Sequence, residues 1–131
     1  MVAGSRREAR ERALGLLYEA EVKGQAPRAL LDGLPVTPDA FVVDVVRGVS
    51  SNAAEIDLLI AGHSIDWAVE RMPAVDRALL RMATFELMDR PDVPTGAVIS
   101  EAVELAKQYS TEESGRFVNG VLAAIAGAVR P

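Results

Sequence analysis

Between Pro73 and Met88 the chain places Val75, Leu79, Leu80, Met82, Ala83, Phe85, Leu87 and Met88, positions that cover most of the circumference of a helix. A helix apolar on nearly all sides must be surrounded by other elements, so this segment predicts a central helix with the rest of the chain around it. Its clearest polar strip is Arg77, Arg81 and Thr84. Asp76 and Glu86 lie inside the apolar arc. A buried charge needs a partner, and either Arg77 or Arg81 of the same helix or a basic surface on another protein would supply one.

Helical spacing recurs on both sides of this segment. Ala9, Ala13, Leu16, Leu17 and Ala20 mark a first helix from about Ser5 to Lys23, stopped at Gly24. Pro27 opens a short second helix to Leu34. From Asp39 to Ala61 an apolar stripe runs through Phe41, Val45, Val49, Ile56 and Ile60. Its many valines raise the possibility of a strand, but strands rarely exceed ~10 residues, so one long helix is expected. Ile65 to Arg71 reads as a helical turn or two, Thr95 as the cap of a helix to Gln108, and Ser110 with Glu113 as a capping box opening the last helix. The expectation is an all-α fold: one domain over residues 1–131, with an N-terminal helical half at about 5–62 and a C-terminal half at about 63–130.

Composition narrows the function. Half of the 131 residues are apolar, enough for a core without staples, and there is no cysteine and one histidine, His63. Thiol chemistry and multi-ligand zinc sites are therefore excluded. No carboxylate is placed opposite a nucleophile or second acid, and no glycine-rich phosphate loop follows a strand; neither an enzyme, a cofactor nor a metal is expected. A net charge of −5 argues against indiscriminate coating of nucleic acid but leaves room for a local basic patch. The arginine-rich start carries Glu8 and Glu11 and has no apolar run behind it, so no leader or membrane span is read and a cytoplasmic location is expected.

Two groups of residues could carry recognition. Arg6, Arg7 and Arg10 form a continuous arc beside the apolar face of the first helix, with Arg12 on the other flank. Cations in a first helical turn oppose the helix dipole by ~0.3–1 kcal/mol each, so stability alone does not place them there. They suit a phosphate backbone; the alternative is a solvated face laced by Arg7–Glu11 and Glu8–Arg12 pairs. The second group is Arg116, Phe117 and Asn119, with Phe117 about 100° from the centre of its helix's core stripe. A flank phenylalanine beside an arginine stacks a base while an asparagine reads its edge, or it closes the core edge, with Gly120 permitting a close helix approach.

The segments Arg6 to Tyr18, Pro73 to Leu87, Asp92-Val-Pro94, Ile99 to Lys107 and Phe117-Val-Asn-Gly-Val-Leu122 together resemble the NusB family of transcription antitermination factors, in the family's order and over nearly the whole chain. The loop after the first helix matches nothing. The resemblance implies two small helical subdomains, recognition of boxA RNA in nascent ribosomal RNA transcripts, a heterodimer with the ribosomal protein NusE, and a place in the RNA polymerase antitermination complex. It implies that Arg6, Arg7, Arg10, Glu113, Arg116, Phe117 and Asn119 face RNA, and that Asp76, with Arg77, Arg81 and Glu86, faces the protein partner. The family includes monomers and homodimers. Two other readings belong to different classes: a protein-interaction bundle without RNA, and a stand-alone relative of the NusB-like domain of RNA cytosine methyltransferases, although this chain has no cysteine for that chemistry.

Overall fold

A computed structural model describes residues 5–65 and 67–131. Among them are seven α-helices and no strand: α1 Arg6–Lys23, α2 Pro27–Asp32, α3 Ala40–Ser51, α4 Ala53–His63, α5 Ala74–Asp89, α6 Thr95–Tyr109 and α7 Glu112–Val129, with a 3-10 turn at Val69–Arg71 before α5. The all-α expectation is met. Helix α5 packs against α1, α3, α4, α6 and α7, as its all-round apolar surface requires. One continuous core draws residues from all seven helices, including Leu16, Leu31, Val45, Ile60, Leu80, Leu105 and Leu122.

The ends of the helices follow local chemistry. Ser5 and Glu8 form a reciprocal capping box on α1, and Gly24 ends it in the left-handed conformation at φ 65°, which only glycine adopts without strain. Helix α2 stops two residues short of the expected Leu34, the turn before α5 covers only Val69–Arg71 of the expected Ile65 to Arg71, and three further boundaries differ for reasons of local chemistry. The long helix from Asp39 to Ala61 is interrupted at Asn52, which has φ −113° and ψ 22°. Its side-chain amide donates to Gly48 O at 2.8 Å, and that bond competes with continued helix. Helix α7 is capped by Thr111, whose hydroxyl accepts from Ser114 N at 2.9 Å, so the Ser110–Glu113 box is not formed. Glu113 stays exposed as a result. Thr95 is the first residue of α6 rather than its cap, and its hydroxyl accepts from Arg130 at 3.0 Å.

Gly48 allows α3 to meet α5 closely: a Cβ there would lie 2.1 Å from the Phe85 ring. At the other end of the chain, Arg130 reaches back over the end of α5 and donates to the carbonyls of Glu86, Leu87, Arg90 and Val93. Leu87 lies in the last turn of α5, where a carbonyl has no intrahelical donor, and Arg130 supplies one. No described helix is long and apolar enough to cross a membrane.

Candidate nucleic-acid interface

The arginine row of α1 divides between surface and interior. Arg6 and Arg12 are exposed, and Arg6 lies over the Phe41 ring at 4.2 Å, a cation–π contact that leaves its outer edge to solvent. Arg7 is half-exposed and makes a bidentate pair with Glu101 of α6, the second bond at 3.0 Å. That pairing uses the Nε and Nη2 atoms and leaves Nη1 without an acceptor among the described residues. Its hydrogen bonds hold the Glu101 carboxyl below its ordinary value and raise that of Arg7. The Arg7–Glu11 and Glu8–Arg12 pairs of the alternative reading do not form among the described residues, since Glu8 is taken by the Ser5 cap and Glu11 accepts from the Tyr109 hydroxyl at 2.6 Å.

Arg10 has to be removed from the RNA-facing set. It is 4% exposed and points into the core, where its guanidinium donates to both oxygens of Glu86 at 3.0 and 2.7 Å. Glu86, 1% exposed, is likewise no partner-facing residue. The sequence sets Glu86 inside the apolar arc of α5 and Arg10 beside the apolar face of α1; the pairing across the two helices explains why each charge is tolerated in the core.

The two arginines of α5 also find partners on other helices. Arg77 donates to Glu21 of α1 and to the carbonyls of Val69 and Met72, while Arg81 makes a bidentate pair with Asp57 of α4 at 2.8 Å. Hydrogen bonding to Arg77 lowers the Glu21 carboxyl from its ordinary value. These arginines tie α1, α4 and the 3-10 turn to the central helix and stay partly exposed beside Leu58, a 74% exposed residue of α4. Neither pairs with Asp76 or Glu86, contrary to the internal option read from sequence.

Asp76 stands apart. It is 2% exposed, and its Oδ1 has no hydrogen-bond partner among the described residues. It lines an open hollow of about 520 Å³ with Trp67, Pro73, Ser110, Thr111, Glu113, Ser114, Arg116 and Phe117. A residue expected on the protein-partner surface thus shares a hollow with three expected on the RNA surface. Phe117 is half-buried and packs against Trp67 with ring centroids 5.7 Å apart and planes tilted by 47°. Asn119, exposed on α7, does not line the hollow.

Sequence reasoning missed two aromatics. Trp67 joins the site only because the turn before α5 folds it against α7, a long-range contact that no local pattern encodes. Tyr109 ends α6 half-exposed, bonded to Glu11 of α1 and directly preceding Ser110 of the hollow. Its hydroxyl ties the end of α6 to α1. The only signal for it was an aromatic at a helix end.

The pattern of the NusB family matches residues 7–127 of the chain. A transcription antitermination protein NusB from Saccharopolyspora erythraea is 48% identical over 130 residues, covering 95% of this chain and 88% of that protein. One from Kineococcus radiotolerans is 47% identical, covering 93% of each. Among solved structures, NusB of T. maritima superposes with TM-score 0.87 at 36% identity over 98% of this chain and 94% of that one. The antitermination factors NusB and NusE in complex with dsRNA supply a second, with TM-score 0.79 and 29% identity, covering 94% of this chain and 96% of that one. Family pattern, sequence identity and fold agree over nearly the full length, and the chain belongs to the NusB family.

Proposed function

We propose that this protein is a transcription antitermination factor that binds boxA RNA of nascent ribosomal RNA transcripts together with NusE, as a non-enzymatic cytoplasmic component of the RNA polymerase antitermination complex. The observation that supports the reading is the presence of exposed or half-exposed cations and aromatics on the elements concerned: Arg6 and Arg7 on α1, Tyr109 at the end of α6 bonded to Glu11 of α1, and Arg116 with Phe117 on α7. Single strands are held by that combination, with guanidiniums on phosphates and rings under bases. A relative at 29% identity and the same fold is seen with NusE and RNA. Of the partner-facing residues, Arg77 and Arg81, with the exposed Leu58 beside them, are the ones we assign to NusE.

The net charge of −5 makes the electrostatic share of affinity local and modest, so NusE is expected to add affinity. Titration of labelled boxA RNA and of a shuffled control, with the protein alone and with NusE, tests the reading. Preference for boxA that grows with NusE is the expected result. Equal weak binding of both RNAs in both conditions would leave a protein-interaction bundle as the better description.

A further inference from the structure

Among the described residues, five arginines are gripped side-on by a carboxylate, through Nε and Nη2: Arg7 by Glu101, Arg10 by Glu86, Arg77 by Glu21, Arg81 by Asp57 and Arg90 by Asp92. A guanidinium carries a second fork at its end, formed by Nη1 and Nη2. In four of the five that fork is closed. Arg10 is buried, Nη1 of Arg77 donates to two carbonyls, that of Arg90 donates to Asp44, and that of Arg81 lies 3.8 Å from Glu21. Arg7 is the exception, because its Nη1 has no acceptor among the described residues and its side chain is 39% exposed. The other carboxylates within electrostatic reach, Glu11 and Glu104, accept from the Tyr109 hydroxyl and pair with Lys107. A partly exposed ion pair contributes little to stability, so the grip on Arg7 is not explained by holding α1 against α6.

We propose that Glu101 is a positioning residue for RNA, gripping the side of Arg7 so that the open Nη1–Nη2 fork is aimed at one phosphate of the single strand. The inference rests on the RNA-binding reading above and adds what directs its phosphate contact. A planar guanidinium meets phosphate through two parallel N–H bonds, which require an orientation as well as a charge. A free arginine loses rotamer freedom when it takes up that orientation. One already fixed by a carboxylate has lost it beforehand, and preorganisation of this kind raises affinity. Glu101 repels the phosphate little, because Arg7 neutralises it directly and the buried Arg10 lies within electrostatic reach. Arg6 supplies the contrast on the same turn of α1. It lies over the Phe41 ring with no carboxylate bonded to it among the described residues, so it offers charge without a fixed fork.

The test replaces each phosphate of a boxA single strand in turn by an uncharged methylphosphonate and titrates every strand against the full chain with NusE. In wild type, one linkage should weaken binding about fivefold to tenfold when replaced, and that penalty should vanish in Arg7→Ala. In Glu101→Ala the penalty at this linkage should fall to within about twofold. The log–log salt slope should stay at the wild-type value, since Arg7 keeps its charge. Arg7→Lys should behave alike, and adding Glu101→Ala to it should change nothing further. Melting temperatures are the control, because loss of a merely structural pair lowers stability and leaves the one linkage untouched. The proposal is overturned if the penalty survives in Glu101→Ala or in Arg7→Lys. It is also overturned if Glu101→Ala strengthens boxA binding with the linkage profile unchanged, which would make Glu101 a competitor of the phosphate. If boxA is bound but no linkage responds to Arg7→Ala, the positioning role falls and the RNA reading stands; absence of all boxA binding, with NusE present, removes both.

Discussion

The two ends of α5 bury one carboxylate each and treat them in opposite ways. Glu86, near the C-terminal end, is held by both arms of the Arg10 guanidinium, and the same end is sealed by Arg130 and by the fit of Phe85 against Gly48. Asp76, ten residues earlier and about 15 Å away along the helix, has an oxygen without a partner among the described residues and lines a hollow with aromatic walls. Both residues fall in the apolar arc and both are buried. The difference shows that burial of a charge does not by itself mark function. A charge whose partner comes from the same chain belongs to the fold, and one left without a partner points to a ligand.

The largest expected effect lies at the closed end. Arg10→Ala strands the Glu86 carboxylate in the core and should destabilise the protein by about 3–5 kcal/mol in denaturant unfolding. A loss under 1 kcal/mol would show that water reaches Glu86 and would break the comparison. Gly48→Ala drives a methyl into the Phe85 ring at the same end, and overpacking of this kind costs about 1–3 kcal/mol. An unchanged midpoint would mean that α3 slides freely along α5.

At the open end the effects should move from stability to binding. Phe117 is half-buried, so Phe117→Ala should cost well short of the ~3–5 kcal/mol of a fully buried phenylalanine. RNA affinity should fall by ~1–3 kcal/mol with the salt dependence unchanged. Arg6→Ala or Arg7→Ala should instead flatten the log–log salt dependence by about 0.7 on single strands and weaken all RNAs alike. Salt slopes that respond to Phe117 and not to the arginines would reverse the assignment of the two contacts.

The smallest effect is on pH. Hydrogen bonds from Arg7 and Arg77 lower the Glu101 and Glu21 carboxyls in the folded protein. Their contribution to stability is therefore present above the ordinary glutamate value of 4.5 and lost as pH falls through the lower folded values. Both pairs are partly exposed, and screening keeps the effect small. Unfolding midpoints of wild type and Glu101→Gln, followed downward from pH 5, should converge in that acid range; a constant difference would contradict the pairing.

Much of this fold was legible in the sequence because its information is local. The spacing of Leu16, Leu17 and Ala20, the stop at Gly24 and the apolar surround of Leu79 to Leu87 each specify an element within a few turns, and the helices formed where that spacing set them. The break at Asn52 escaped because one side-chain bond to Gly48 decided it. The site was less legible, since which charge meets which depends on packing between distant segments. Arg10 and Glu86 lie 76 residues apart, and Arg7 and Glu101 lie 94 apart. Projection of α1 placed Arg10 with Arg6 and Arg7 on one arc, but only the position of α5 separates the buried arginine from the exposed ones.

The most direct test is thermal unfolding of the two isosteric amide variants, Glu86→Gln and Asp76→Asn, each without RNA and with a saturating boxA single strand. Glu86→Gln should melt well below wild type without RNA and gain the same upward shift on binding. Asp76→Asn should melt at or above the wild-type temperature without RNA and gain a smaller shift than wild type. If Asp76→Asn instead melts far lower and keeps its shift, Asp76 is a structural charge like Glu86, and the contrast between the two ends of α5 is wrong.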